Sequence, residues 1–141
     1  MKDYTGSTLD HLNIAVPDLE RSLAFYRPVL EVLGLVELLQ IPADPSEPRA
    51  AMHGFGWTHK PYFWLIGDGT VGTNMHIAFT ATSREVVRRF YEVALASGGR
   101  SHLEPGVRTE YHADYYGGFV FDPDGINVEA VHHQPAAAQA G

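Results

Sequence analysis

At 141 residues, with 45% hydrophobic, 19% charged and 11% aromatic side chains, the chain is large enough to bury the core of one compact domain. A net charge of -7, with only Lys2 and Lys60 for lysines and no polybasic run, excludes a nucleic-acid footprint or an anionic membrane surface. The absence of cysteine excludes disulfides, thiolate ligands and a cysteine nucleophile, and no apolar run approaches the ~20 residues that span a bilayer.

In chain order, Met1 to Thr5 lacks the apolar core of a signal peptide, so a cytoplasmic protein is expected. Leu9 to Val16 alternates as a strand, and Pro17-Asp18 ends it and starts a helix. Leu19, Leu23, Tyr26, Leu30 and Leu33 recur at helical spacing, and Gly34 is the stop. Leu35 to Ile41 reads as a strand and Pro42 to Arg49 as a loop. Ala50 to Gly56 and Pro61 to Ile66 pair across the turn Trp57-Thr58-His59-Lys60, and Gly67 to Gly72 links onward. Thr73 to Thr80 is again a strand, and Ser83 caps a helix that runs to about Ala96, closed by Gly98-Gly99. A short strand around Arg100 to Leu103 precedes a polar, aromatic loop from Glu104 to Asp114. Tyr115 to Phe121 and Ile126 to Val131 form a hairpin across Asp122-Pro123-Asp124-Gly125, whose proline and glycine mark a type I turn. Residues 134–141 are small and polar, and a frayed tail is expected.

That order restarts because the chain nearly repeats itself at an offset of 65. His11 aligns with His76, Glu20 with Glu85, Phe25-Tyr26 with Phe90-Tyr91, Leu30 with Leu95 and Gly34 with Gly99, six identities in 24 positions. A fixed period sets architecture. Two βαβββ modules, about 8–66 and 73–131, are expected to share one domain over 1–141 with the linker 67–72 between them. The fold class is α+β, a cupped mixed sheet with helices on the convex face.

The same offset carries the chemistry. Glu129 follows His76 by 53 residues, and 53 residues after His11 stands Trp64. A pseudo-twofold axis would make positions 11, 64, 76 and 129 equivalent in pairs, and three of the four can ligate a metal. Strand alternation puts His11, Asn13 and Ala15 on one face, His76, Ala78 and Thr80 on another, and groups Asn127 with Glu129 and Tyr62 with Trp64. Glu129 lies between Val128 and Ala130, where an unpaired carboxylate is costly and a metal would resolve the cost. Two imidazoles and a carboxylate suit one divalent ion, Fe, Mn, Ni, Co or Zn. The bland reading, two core histidines satisfied by carbonyls, has no account of the repeat.

Around this site, Trp64 reads as a lining aromatic with Tyr62, Asn13 and Asn127 beside it. His112 is a solvated loop histidine or an acid/base on a closing loop. Tyr111 and Tyr115 are rim residues or substrate contacts, and Arg108 is an exposed arginine or an anchor for an anionic group. His132 and His133 read as solvated. Gly67 to Gly72 matches G-x-G-x-x-G but leads into a strand, not the helix that would hold a pyrophosphate.

With these residues the chain resembles the vicinal oxygen chelate superfamily, which includes glyoxalase I, bleomycin-resistance proteins, fosfomycin-resistance enzymes and extradiol dioxygenases. The resemblance covers about Leu9 to Val131. It rests on Leu9-Asp10-His11 leading to Asp18-Leu19-Glu20-Arg21-Ser22 and Phe25-Tyr26, on Met75-His76-Ile77-Ala78-Phe79, and on Phe121-Asp122-Pro123-Asp124-Gly125 to Glu129. The segments Tyr62 to Leu65 and Tyr111 to Tyr116 look like an uncharacterised lactoylglutathione-lyase-like subgroup. The resemblance implies paired modules around a divalent metal that chelates substrate oxygens, with His11, His76 and Glu129 at the ligand positions. Glyoxalase I has a glutamate where Trp64 stands, so lactoylglutathione lyase activity is not implied. The leading expectation is a metal-dependent, glyoxalase-like enzyme of lyase or isomerase type acting on a small molecule, as a homodimer whose modules can pair across chains. The alternatives are a metal-free sequestering protein of the bleomycin-resistance type and a ring-cleaving dioxygenase.

Overall fold

The computed structural model describes residues 8–135; the expected tail beyond 135 and the start of the chain at 1–7 lie outside the described residues. Ten elements follow one another: β1 (Leu12–Ala15), α1 (Leu19–Val32), β2 (Val36–Ile41), β3 (Met52–Trp57), β4 (Lys60–Ile66), β5 (His76–Thr80), α2 (Arg84–Ala96), β6 (Arg100–Val107), β7 (Tyr116–Phe121) and β8 (Asn127–His132). They build two four-stranded mixed sheets, ordered β1-β4-β3-β2 and β5-β8-β7-β6. The fold is α+β and two-module, as the repeat requires. No helix among the described residues is long and apolar enough to cross a membrane.

The repeat extends to the pairing register. Asn13 faces Trp64 across the parallel β1–β4 pair, and 65 residues on Ala78 faces Glu129 across β5–β8. Gly54 faces Trp64 in β3–β4, and Phe119 faces Glu129 in β7–β8. The match slips at the helix ends. Both helices close with a 6→1 bond, Leu35 N–H to Leu30 carbonyl at 2.9 Å and Gly99 N–H to Ala94 carbonyl at 2.9 Å. The left-handed residue just before is Gly34 in one (φ +87°) and Gly98 in the other (φ +105°). Gly34 therefore corresponds in role to Gly98, not to Gly99 as the fixed offset aligns them.

The caps that start the helices are those the sequence indicates. Asp18 accepts from the Arg21 N–H at 3.1 Å and Ser83 from the Val86 N–H at 3.1 Å, each answering one otherwise unpaired donor of a first turn. Helix α1 continues through Pro28, which supplies no donor to the preceding turn. Packing of Leu23, Phe25, Tyr26, Val29 and Leu30, all fully buried, outweighs that loss.

Three boundaries differ from the sequence reading. β1 starts at Leu12, so His11 stands just ahead of it, and β5 starts at His76. β6 runs on to Val107, through residues read as loop. Pro105 argues against a strand by sequence, yet β6 is the edge of its sheet, where a missing N–H is tolerated, and the register shifts between Leu103 and Gly106 absorb it. The glycine-rich linker lies against β1, its Gly69 N–H donating to the Val16 carbonyl at 3.0 Å.

Each helix packs on its own sheet and α1 packs on α2. An aromatic chain runs through the core, Phe25 to Tyr26 at 4.9 Å, Tyr26 to Phe63 at 5.3 Å and Phe63 to Phe79 at 5.3 Å between ring centres. Its last contact passes from the first sheet to the second. A polar clamp crosses the same boundary. The buried Tyr26 hydroxyl donates to Asp122 Oδ2 at 2.6 Å, and Asp122 Oδ1 accepts from the N–H groups of Asp124 (2.8 Å) and Ile126 (2.9 Å). Arg21 pairs with Asp124 beside it. The Asp-Pro-Asp-Gly turn thus faces inward onto α1 of the other module. Tyr26→Phe strands a buried carboxylate oxygen, and urea unfolding is expected to show a loss of about 1–3 kcal/mol. Ser22→Ala, which removes only a 3.3 Å contact to Asp124, is expected to cost less.

Candidate metal centre

In the second module the expected residues come together. His76 Nε2 lies 2.9 Å from Glu129 Oε1, and the Tyr115 hydroxyl donates to Glu129 Oε2. Glu129 is fully buried, whereas His76 is exposed on one side. Burial pushes the Glu129 carboxyl above its ordinary pKa, against the opposing pull of the Tyr115 hydrogen bond and the His76 and Arg108 charges. Burial also raises the Tyr115 phenol, with the Glu129 carboxylate next in effect, so the phenol stays protonated at neutral pH and acts as a donor. Gly117 makes this arrangement possible. A Cβ there would stand 2.8 Å from Glu129 Oε2 and 3.1 Å from the Tyr115 ring.

The first module holds the equivalent places differently. His11 Nδ1 bonds Asp10 Oδ2 at 2.7 Å, and Asp10 also binds Lys60, whose hydrogen bond is the chief cause of the lowered Asp10 pKa. A carboxylate on Nδ1 is the usual partner of an imidazole that could ligate a metal through Nε2. Asp10 was no candidate on sequence, since an acid beside a histidine is common. Trp64 lies over Gly54, where a Cβ would fall 2.8 Å from the indole, and stands at the register position equivalent to that of Glu129. With His11, Asn13, Ile41, Met52 and Pro61 it lines a shallow hollow.

Tyr62 does not share that hollow. Phe55 pairs with Phe63 and Gly56 with Pro61, so Tyr62 sits at a bulge that breaks the alternation. It lines instead a cleft of about 360 Å³ with His11, Trp57, Phe63 and Phe79. Trp57, 62% exposed, was read only as part of a turn.

The Tyr111–Tyr115 loop is built on a histidine pair. His112 Nδ1 accepts from the Asp114 N–H at 3.1 Å, and its Nε2 lies 2.9 Å from His133 Nδ1 with the rings stacked. Both nitrogens of His112 are thereby engaged. Tyr111 packs on Tyr115 with ring centres 4.6 Å apart. His132 bonds the Ala81 carbonyl at 2.8 Å, so neither it nor the half-buried His133 is the solvated histidine expected from the sequence. Phe119 and His102 also face this region: Phe119 lies 5.9 Å from His76 and 6.2 Å from His102 between ring centres. Alternation of β7 against β8 could have found Phe119, which pairs with Glu129.

As ligands, His76 and Glu129 fit one ion. His76 Nε2 and Glu129 Oε1, 2.9 Å apart, are close enough that one ion could be held by both. A third ligand is required, and among the described residues of one chain no three histidines or carboxylates converge. The structure brings Glu129 and His76 together and leaves His11 elsewhere.

Comparisons with known proteins follow the same lines. The family model described as Glyoxalase/Bleomycin resistance protein/Dioxygenase superfamily matches residues 8–130. A glyoxalase/bleomycin resistance protein from Albidiferax ferrireducens superposes with a TM-score of 0.72 at 25% identity, over 91% of this chain and 100% of that one. A glyoxalase/bleomycin resistance protein/dioxygenase family enzyme from Burkholderia phytofirmans does so with a TM-score of 0.64 at 20% identity, over 91% and 100%. Glyoxalase I from Zea mays gives a TM-score of 0.65 at 22% identity, over 89% of this chain and 46% of that one. Among curated proteins none matches.

Two outcomes test this geometry. Gly117→Ala is expected to cost about 1–3 kcal/mol by chemical unfolding, because the new methyl group displaces the Glu129–Tyr115 contact. The second concerns pH. Burial first, then the His112 and His132 charges, hold His133 below the ordinary histidine pKa, so the folded state takes up its proton less readily than the unfolded chain. Its contribution to stability is complete above about pH 6.5 and is lost as the pH falls further. His133→Asn should flatten the fall in stability measured by urea midpoint between about pH 7 and pH 5.

Proposed function

The chain belongs to the glyoxalase/bleomycin resistance protein/dioxygenase superfamily, and from that premise we propose a metal-dependent, glyoxalase-like enzyme acting on a small oxygen-chelating substrate. The observation that carries this is the buried Glu129 held between His76 and Tyr115. A buried carboxylate with an exposed imidazole beside it is expensive as a structural device and useful as a ligand pair.

His76 Nε2 and Glu129 Oε1 would hold the ion from one module, and His11 Nε2 of a second copy of the chain would complete the set. The support is positional. The His11 and His76 faces are equivalent by register and exposed in the single chain, and among its described residues the ligand set is incomplete. When bound, a divalent ion supplies Lewis acidity to the substrate oxygens it chelates. Asp10 orients His11, and Tyr115 orients Glu129 from the oxygen that the ion does not need. Phe119, itself buried, packs beside His76. His112, with both nitrogens engaged, holds the Tyr115 loop in place. Lyase or isomerase chemistry is the reading adopted within the family.

A second reading, a metal-free protein that sequesters a small aromatic compound, is favoured by one observation. The cleft between β1 and β5 is lined by Trp57, Tyr62, Phe63 and Phe79 and lies apart from Glu129.

Elemental analysis of protein purified without a histidine tag separates the two. The enzyme reading predicts about one transition metal per chain, lost in His76→Ala, Glu129→Ala and His11→Ala alike. Wild type that stays metal-free after incubation with each candidate ion contradicts it and leaves sequestration.

A further inference from the structure

The two modules enclose a cleft where they meet. Its floor is the Phe63–Phe79 pair, one ring from each module, packed edge-on at 5.3 Å and almost fully buried. Trp57 and Tyr62 line it from the first module, and Thr80 and Thr82 bring hydroxyls from the end of β5 in the second. A volume of about 360 Å³ and a lining of aromatic rings with few polar groups are the properties of a small-molecule site. The cleft is open to solvent, since Trp57, Thr80 and Thr82 are all exposed.

Trp57 is held in place although it is exposed. One edge of its indole rests on Gly34, where a Cβ would stand 3.2 Å from the ring. Gly34 has φ +87° at the end of α1, a conformation that favours glycine, so the room for the indole is built into the helix stop. A large aromatic face left in water at the rim of a cavity forfeits burial that a flat ligand restores.

Charge decides the kind of ligand. Among the described residues no lysine or arginine lines the cleft, and its one carboxylate is Asp10. Both oxygens of Asp10 are engaged, Oδ1 by Lys60 and Oδ2 by His11 Nδ1 at 2.7 Å. Burial raises the Tyr62 phenol, which stays protonated. A ligand anion would leave water for a cavity that offers it no lysine or arginine. A ligand cation would meet a carboxylate already answered. Either bears a desolvation cost that an uncharged ring avoids.

We propose that this cleft binds an uncharged aromatic molecule carrying one hydroxyl or carbonyl, its ring between Trp57 and the Phe63–Phe79 floor and its polar group at Thr80 and Thr82. The proposal rests on the cleft of the second reading above and adds the ligand's charge and layout. It needs no absence of metal, so the site belongs to the chain under either reading. His11 lines both this cleft and the Trp64 hollow, which places the occupant beside an imidazole that the metal reading also uses.

The chain has two tryptophans, Trp57 in the cleft and Trp64 in the hollow, so two indole N–H resonances report the two places separately. Trp57→Phe and Trp64→Phe assign them. Titrating 2-naphthol into isotope-labelled wild type should move the Trp57 resonance and leave that of Trp64 in place. The anionic 2-naphthoate and the cationic 2-naphthylmethylammonium should each bind about tenfold more weakly or worse. The double variant Thr80→Val, Thr82→Val should weaken 2-naphthol about threefold or more with an unchanged melting temperature. Movement of Trp64 alone overturns the cleft as the site and leaves sequestration standing. Movement of neither resonance overturns both the site and the sequestering reading, and does not touch the metal reading. Equal binding of a charged analogue overturns the choice of an uncharged ligand, and full affinity in the double variant overturns the placement of its polar group.

Discussion

The arrangement of the two modules turns on one buried hydrogen bond, from the Tyr26 hydroxyl to the Asp122 carboxylate. Tyr26 belongs to α1 of the first module and Asp122 to the β7–β8 turn of the second. An unpaired carboxylate at that depth would be costly, so the turn is tied to the helix. Burial does raise the Asp122 pKa, with the Tyr26 bond and two backbone N–H groups working against the rise. The Phe63–Phe79 contact adds an apolar seam alongside, and together they fix how one sheet sits against the other.

That docking uses the helix sides of both modules and leaves the opposite faces of β1 and β5 uncovered. His11, Asn13, His76 and Ala78 are accordingly exposed. His11 with Asp10 stands on one module and His76 with Glu129 on the other. A homodimer that brings unlike halves together would form two whole sites from two chains, in the closed symmetry most oligomers adopt.

Much of this was legible in the sequence because the repeat is legible. An offset of 65 residues aligns His11 with His76 and Trp64 with Glu129, and the strand registers carry the same offset. Helix starts could be read because Asp18 and Ser83 cap by local chemistry. What the sequence hid was set by tertiary position. Pro105 lies in a strand because that strand is an edge, and Tyr62 leaves the Trp64 face because a bulge intervenes. His112 and His133 meet across 21 residues, a pairing no periodicity reports. Asp10 and Gly117 acquire their roles only from the neighbours that folding supplies.

The proposed metal site requires that its ligand set be shared between two copies of the chain. The most direct measurement mixes His11→Ala chains with Glu129→Ala chains, purifies the hybrid dimer and determines its metal content. If the site is shared, the hybrid has one intact site, made of His11 from the Glu129→Ala chain and His76 with Glu129 from the His11→Ala chain. It should then hold about half the wild-type metal per chain, although neither parent dimer holds any. A hybrid as empty as its parents would contradict a shared site and confine the ligands to a single chain.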